Sequence, residues 1–314
     1  MTRATHPFRF GAVLESAAPA KEWAANARRI EDMGYSSLLV PDHFNDRFAP
    51  LPALMAAAAV TSTLRVGTMV ADNDYRHPMV LAKDVATIDV LSEGRFELGI
   101  GAGWERQDYD WSGIPYDPAA VRLDRLEEAI DVIKGLWAGE PFSYKGEFYT
   151  ITDHVGTPSC IQRPHPPLLI GGGGKRVLTI AARVADIVSI NFTLDKGKFG
   201  PAAAATGTRA TTAEKVQVVR EAAGERFPDI ELSCLVAATI TDDREGVAAR
   251  LTRDLGLGLP PEEVLASPYL VVGTVEEIVD TLLERREMFG FSYLAVALDS
   301  WPAMGPIIDR LAGT

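Results

Sequence analysis

In the run VPDHF a carboxylate, Asp42, stands directly before an imidazole, His43. Imidazole titrates near neutral pH and can give or take a proton during a reaction, and a neighbouring carboxylate can orient it. The same pair also serves in capping and packing, so the dipeptide leaves both readings open. Two glycine-rich runs offer a different chemistry. In LLIGGGGKRV, Gly171, Gly172, Gly173 and Gly174 separate an apolar run from Lys175 and Arg176, which open a helix-like stretch. Bare backbone ahead of a helix start exposes several N–H groups to an anion. A Walker loop would need glycine where Leu169 stands and a hydroxyl where Arg176 stands; a dinucleotide fingerprint would need glycine at Arg176. In GIGAGW, Gly99, Gly101 and Gly103 recur at period two, a spacing that admits a flat ligand to the backbone or fills a narrow barrel layer. Metal chemistry has little support. No histidine joins a His-x-His or His-Glu-x-x-His motif, and Cys160 and Cys234 stand far apart.

These runs sit at the ends of β-prone segments that alternate with amphipathic stretches. Segments 8–14, 36–40, 64–70, 95–103, 166–174, 185–192, 231–241 and 292–298 read as strands. The clearest helix follows the fourth, with Asp117 as the expected N-cap, Pro118 at its first position, and Leu126, Ile130, Ile133 and Trp137 on one stripe. Eight such units predict one (β/α)8 TIM barrel spanning residues 1–314, an α/β fold, in preference to an open doubly wound sheet. Insertions are expected after strand four and around strands seven and eight. Residues 139–167 contain an aromatic hairpin turning at Lys145 and Gly146, and residues 193–212, rich in Gly, Ala and Thr, read as a mobile loop. In such a barrel the catalytic groups lie on loops after the strand C-termini, where Asp42, His43 and both glycine runs fall.

Composition narrows the partners. The 314 residues are 47% hydrophobic and 24% charged, the profile of a soluble globular protein. A net charge of −12 argues against nucleic acid. The start MTRATHPFRF lacks a signal-peptide core, and no run of ~18 apolar residues offers a membrane span. A cytoplasmic location is expected.

The segments LVPDHF, VGTMVADNDYRHPMVLAKDVATIDVLSEGRFELGIGAGW and PPLLIGGGGKRVLTIAARVADIVSIN together resemble the luciferase-like monooxygenase superfamily, above all its branch of oxidoreductases dependent on coenzyme F420, a 5-deazaflavin. The resemblance covers nearly the whole chain, including the ending IIDRLAG. It implies a bacterial luciferase-like barrel, a homodimer, and a flavin or deazaflavin with its ring at the mouth and its phosphate near strands five and six. His43 matches the acid/base histidine of a deazaflavin-dependent sugar-phosphate dehydrogenase, with Asp42 at the ring edge. Met69 and Val70 match a bulge with a cis peptide behind the ring. Ala102 and Gly103 match a loop touching the ring, and Gly171 to Gly174 the phosphate side; Asn191, ending strand six, joins the cofactor contacts. Trp104 departs from that pattern by preceding Glu105, which is carried over as a candidate acid while a sugar-phosphate substrate is placed in doubt. Lys175, Arg176, Lys196, Lys198 and Arg209 are the cations available to an anionic coenzyme tail, or else are solvated loop charges. The expected function is hydride transfer between F420 and a small organic substrate; the alternatives are an FMN-dependent monooxygenase using reduced flavin and O2, or a non-catalytic flavin-binding protein.

Overall fold

Each of the eight segments forms a strand in the computed structural model, which describes residues 6–194, 197–254 and 259–314. The strands are β1 (Arg9–Val13), β2 (Ser37–Val40), β3 (Arg65–Thr68), β4 (Phe96–Gly101), β5 (Leu168–Gly172), β6 (Ile187–Ile190), β7 (Glu231–Ile240) and β8 (Phe291–Ala297). Every strand pairs in parallel with its successor, and β8 pairs with β1, closing the barrel. Parallel neighbours require crossovers. Helices such as Ala20–Asp32, Pro78–Leu91, Ala119–Trp137 and Lys175–Val184 supply them, burying apolar faces against the outside of the sheet.

Alternation along the strands divides the core in two. Val13, Leu39, Leu169, Ile187, Tyr293, Ala295 and Ala297 fill the barrel interior, with Met69, Val70 and Leu235 against them. At the strand N-termini, ion pairs close the bottom. Arg9 joins Glu97 at 2.7 Å and Glu231 at 2.6 Å, Arg65 reaches Glu97 at 2.6 Å, and the Arg9 guanidinium lies over Tyr293. Burial alone would raise the Glu97 carboxyl, yet Arg9 and Arg65 hold it below its ordinary range. The mouth at the strand C-termini is therefore the route into the interior.

The structure matches some of these expectations and departs from others. The third strand stops at Thr68, the Met69–Val70 peptide is cis, and Ala71–Asp72 pairs beside Ile100 and Gly101. Asp117 makes no capping bond; Pro118 holds the N-cap position and the Asp117 carboxylate goes to Arg125. Within the segment read as loop, Pro201–Ala204 is helical and a further helix starts at Arg209, with the Thr208 hydroxyl accepting from the Thr211 N–H. A threonine cap outweighs the low apolar content there. The hairpin pairs Phe142–Lys145 with Thr150–His154, and after β7 a short strand, Leu270–Gly273, runs along Ala237 to Ile240. Among the described residues no helix is long and apolar enough to cross a membrane.

Candidate active site at the barrel mouth

Asp42 and His43 lie in the loop just beyond β2 and take different partners. The Asp42 carboxylate is taken by Arg76, through both guanidinium nitrogens, and by the Asp72 N–H at 3.1 Å. His43 turns instead to Asp108, with Nδ1 2.6 Å from Oδ2. That carboxylate is 1% exposed and also accepts from the Phe44 N–H at 3.1 Å and the Tyr75 hydroxyl at 3.1 Å. With an ionised carboxylate as its partner, which can only accept, Nδ1 would hold the proton and leave Nε2 to exchange one. Trp104 stands edge-on to the imidazole, ring centres 5.6 Å apart, and its carbonyl accepts from Tyr116. The Asp42–His43 pair thus resolves into a structural Asp42–Arg76 pair and a His43–Asp108 pair.

Asp108 escapes sequence reading for a physical reason. It lies on Arg106–Ser112, a helix too short to show periodicity. The signals that mark this helix are the Arg106–Asp110 pair at (i, i+4) and the left-handed Gly113 that ends it. Glu105 occupies its N-cap, half-buried. Burial raises the Glu105 carboxyl above its ordinary range; the charge of His43 opposes the rise and that of Asp108 adds to it. Glu105, His43 and Asp108 therefore share one electrostatic neighbourhood.

Beneath this loop, Ala102 and Gly103 offer their carbonyls to Arg122. Gly103 has φ +76°, and a side chain there would overlap the Tyr109 hydroxyl and lie 2.5 Å from Asp72 Oδ2. Gly99 and Gly101 are small for packing: a Cβ on Gly99 would overlap the Thr68 carbonyl, and one on Gly101 would lie 2.8 Å from Val70. Desolvation, with the nearby charges of Asp74 and Asp42, pushes the buried Asp72 carboxyl up to about 7 against the opposing Asp74 N–H.

The four consecutive glycines divide by role. A Cβ on Gly172 would strike Val177, and one on Gly173 the backbone of Phe192 and Asn191, so these two are needed for packing. Gly174 meets nothing within 4 Å and Gly171 nothing closer than 3.7 Å. Gly174 is the N-cap of Lys175–Val184, so its open side faces unpaired N–H groups at a helix start. Asn191 supports the cradle: its N–H donates to the Gly172 carbonyl at 2.9 Å, its carbonyl accepts from Lys215 Nζ at 2.7 Å, and Thr193 Oγ1 donates to the Gly173 carbonyl at 3.0 Å. Lys215 is buried, which lowers its amine to about 8, and its second acceptor is the Thr206 carbonyl. These residues fit the phosphate-bearing side of a flavin-type coenzyme, because open backbone N–H groups bind an anion without a side-chain cation. Arg176 is committed to Ala120, Asp124 and Glu127, and Arg209 to Glu284, while Lys175 and Lys198 are exposed. Lys196 lies outside the described residues.

The cradle on β5 and β6 and the His43 pair after β2 face each other across the mouth. The Gly197 carbonyl accepts from the Arg106 N–H at 3.1 Å, joining the segment after β6 to the segment after β4 as one wall. Buried thiols do not contribute: burial pushes Cys160 to about 11 and Cys234 to about 12, too high for a thiolate at neutral pH.

Comparison with known proteins bears on the family and the fold. An F420-dependent glucose-6-phosphate dehydrogenase of Microbacterium testaceum is 36% identical over 166 residues, covering 50% of this chain and 48% of the relative. An FMNH(2)-dependent dimethylsulfone monooxygenase of Pseudomonas putida is 34% identical over 131 residues, 42% of this chain and 36% of the relative. The chain thus spans about half or less of the length of these two relatives. The solved structure of a coenzyme F420-dependent tetrahydromethanopterin reductase from Methanopyrus kandleri superposes with a TM-score of 0.78 over 98% of this chain and 99% of that one, at 19% identity, which establishes the shared fold. The family model for luciferase-like monooxygenases matches residues 4–269, and with the closed barrel this shows that the chain belongs to the luciferase-like monooxygenase family.

Proposed function

We propose that this protein is an oxidoreductase that transfers hydride between coenzyme F420 and a small organic substrate, with His43 moving the accompanying proton. The observation that carries the reading is the 2.6 Å pair between His43 Nδ1 and Asp108, opposite a backbone cradle suited to an anionic coenzyme tail. When bound, the deazaflavin supplies a ring carbon that accepts or donates the hydride. The protein supplies the rest. Oxidising an alcohol carbon removes a hydride from carbon and a proton from oxygen, and the reverse reaction returns both. His43 Nε2 takes or gives that proton, while Asp108 fixes the ring and stabilises the imidazolium formed when Nε2 is protonated. Glu105, its carboxyl raised by burial, is the second proton-carrying group on this side. Trp104 covers one side of His43 and limits water there.

A reduced-FMN monooxygenase is the second reading, favoured by the likeness to the Pseudomonas putida enzyme. Turnover separates the two. With oxygen excluded, reduced F420 offered with ketones or enones should be oxidised, or oxidised F420 offered with alcohols or sugar phosphates should be reduced, in a substrate-dependent way. Product formed only with reduced FMN and oxygen would overturn the F420 reading in favour of the second.

A further inference from the structure

Inside the barrel, among the described residues, the Ser189 Oγ on β6 and the Ser233 Oγ on β7 are buried without a hydrogen-bond partner. They are register neighbours, and Ser189 is 1% exposed and Ser233 0%. A buried hydroxyl without a partner has given up its hydrogen bonds to water for nothing in return, so its retention needs a reason. Ser189 points inward, because Ile187, two residues earlier on the strand, belongs to the interior cluster. It is also the register partner of Gly171, where an ideal Cβ would sit 3.7 Å from both the Ser189 Cβ and Val70 Cγ1. Gly171 and Val70 are partly open to the mouth. The missing side chain at Gly171 therefore leaves ordinary contact room on the mouth side of a buried, unpartnered hydroxyl.

Depth decides what reaches that room. Gly174, at the cradle, lies three residues beyond Gly171 and two past the end of β5, so it is nearer the rim. A coenzyme held at the cradle by its phosphate would extend inward to the level of Gly171 and Ser189, where its ring presents carbonyl oxygens that accept hydrogen bonds.

We propose that Ser189 is a cofactor-positioning residue whose hydroxyl donates to a ring carbonyl of the bound flavin-type coenzyme beside Gly171. The proposal rests on the coenzyme reading above. It predicts effects of opposite sign. Removing an unpartnered buried hydroxyl relieves its desolvation, so Ser189→Ala should raise the Tm of the ligand-free protein. Removing a donor to the coenzyme should weaken F420 binding by roughly 2- to 12-fold, the range for one net hydrogen bond, and shift the absorption band of the bound coenzyme. Ser189→Thr retains the hydroxyl and should retain the wild-type band. Gly174→Ala, at the tail end of the cradle, should weaken F420 without moving that band.

The test is a titration of wild type and the three variants with F420, followed by fluorescence and absorption, beside melting curves of the ligand-free proteins. Higher Tm, weaker binding and a shifted band for Ser189→Ala support the proposal. Unchanged affinity and band for Ser189→Ala, with wild type binding F420, overturn the Ser189 role and leave the coenzyme reading standing. A lower ligand-free Tm overturns it as well, since the hydroxyl would then be a structural donor. Wild type that binds neither F420 nor FMN overturns the coenzyme reading and the Ser189 role together.

Discussion

His43 and Asp108, 65 positions apart, meet through one hydrogen bond of 2.6 Å between Nδ1 and a carboxylate oxygen that Tyr75 also reaches. The carboxylate beside His43 in the chain, Asp42, is bound instead to Arg76. A carboxylate on Nδ1 selects the tautomer with a free Nε2, which a general acid or base requires. Asp108→Asn should keep the shape but remove the negative charge and one acceptor. We expect kcat to fall on the order of 10- to 100-fold with a smaller change in KM, and the pH dependence of kcat to shift. A pH–rate profile identical to wild type would make Asp108 a packing residue.

His43 itself should carry a larger share. His43→Ala should lower kcat on the order of 10²-fold or more, as expected when a positioned acid/base group is removed. Coenzyme affinity should change little, because the cradle lies on the opposite side of the barrel. Steady-state kinetics beside a coenzyme titration checks both halves, and an unchanged kcat would remove His43 from the mechanism.

The buried Asp72 carboxyl sets a pH dependence of stability. Its pKa in the folded protein, about 7, lies above the ordinary 3.8 because burial, together with Asp74 and Asp42, disfavours its charge. Between these values the unfolded chain releases the proton while the folded chain holds it. Stability therefore falls as pH rises from about 4 to about 7, and the full penalty is present above that window. Asp72→Asn, which cannot ionise, should flatten this fall in Tm. An equally steep fall in the variant would contradict the assignment.

Glycines near the site should separate by what surrounds them. Gly103→Ala faces a left-handed φ of +76° and an overlap with the Tyr109 hydroxyl, so it should destabilise by more than about 1 kcal/mol. Gly174→Ala meets nothing within 4 Å and should leave Tm nearly unchanged. Thermal melts of the two variants compare them directly; equal losses would contradict the packing argument.

What the sequence made legible follows from where its signals are local. The eight strands are readable because each is a short, largely apolar and β-prone segment between amphipathic stretches, and His43 and the glycine run because they sit at strand ends. Asp108 is not, since a seven-residue helix shows no period and its partner lies 65 positions away. The division of the glycine run into packing members, Gly172 and Gly173, and open members, Gly171 and Gly174, depends on the neighbours Val177 and Phe192 in three dimensions. Arg176 and Arg209, read as cations for a coenzyme tail, are paired with acidic residues brought near by other helices. Ser189 and Ser233 carry no motif, and only the closed barrel brings their unpartnered hydroxyls together.

The identity of the coenzyme is open to direct titration. The purified protein is titrated in parallel with F420 and FMN, each oxidised and reduced, and binding is followed by fluorescence. The expected result is saturable F420 binding at micromolar or lower concentration, with FMN weaker by roughly tenfold or more, a difference of about 1.4 kcal/mol. Tight FMN binding without measurable F420 binding would contradict it.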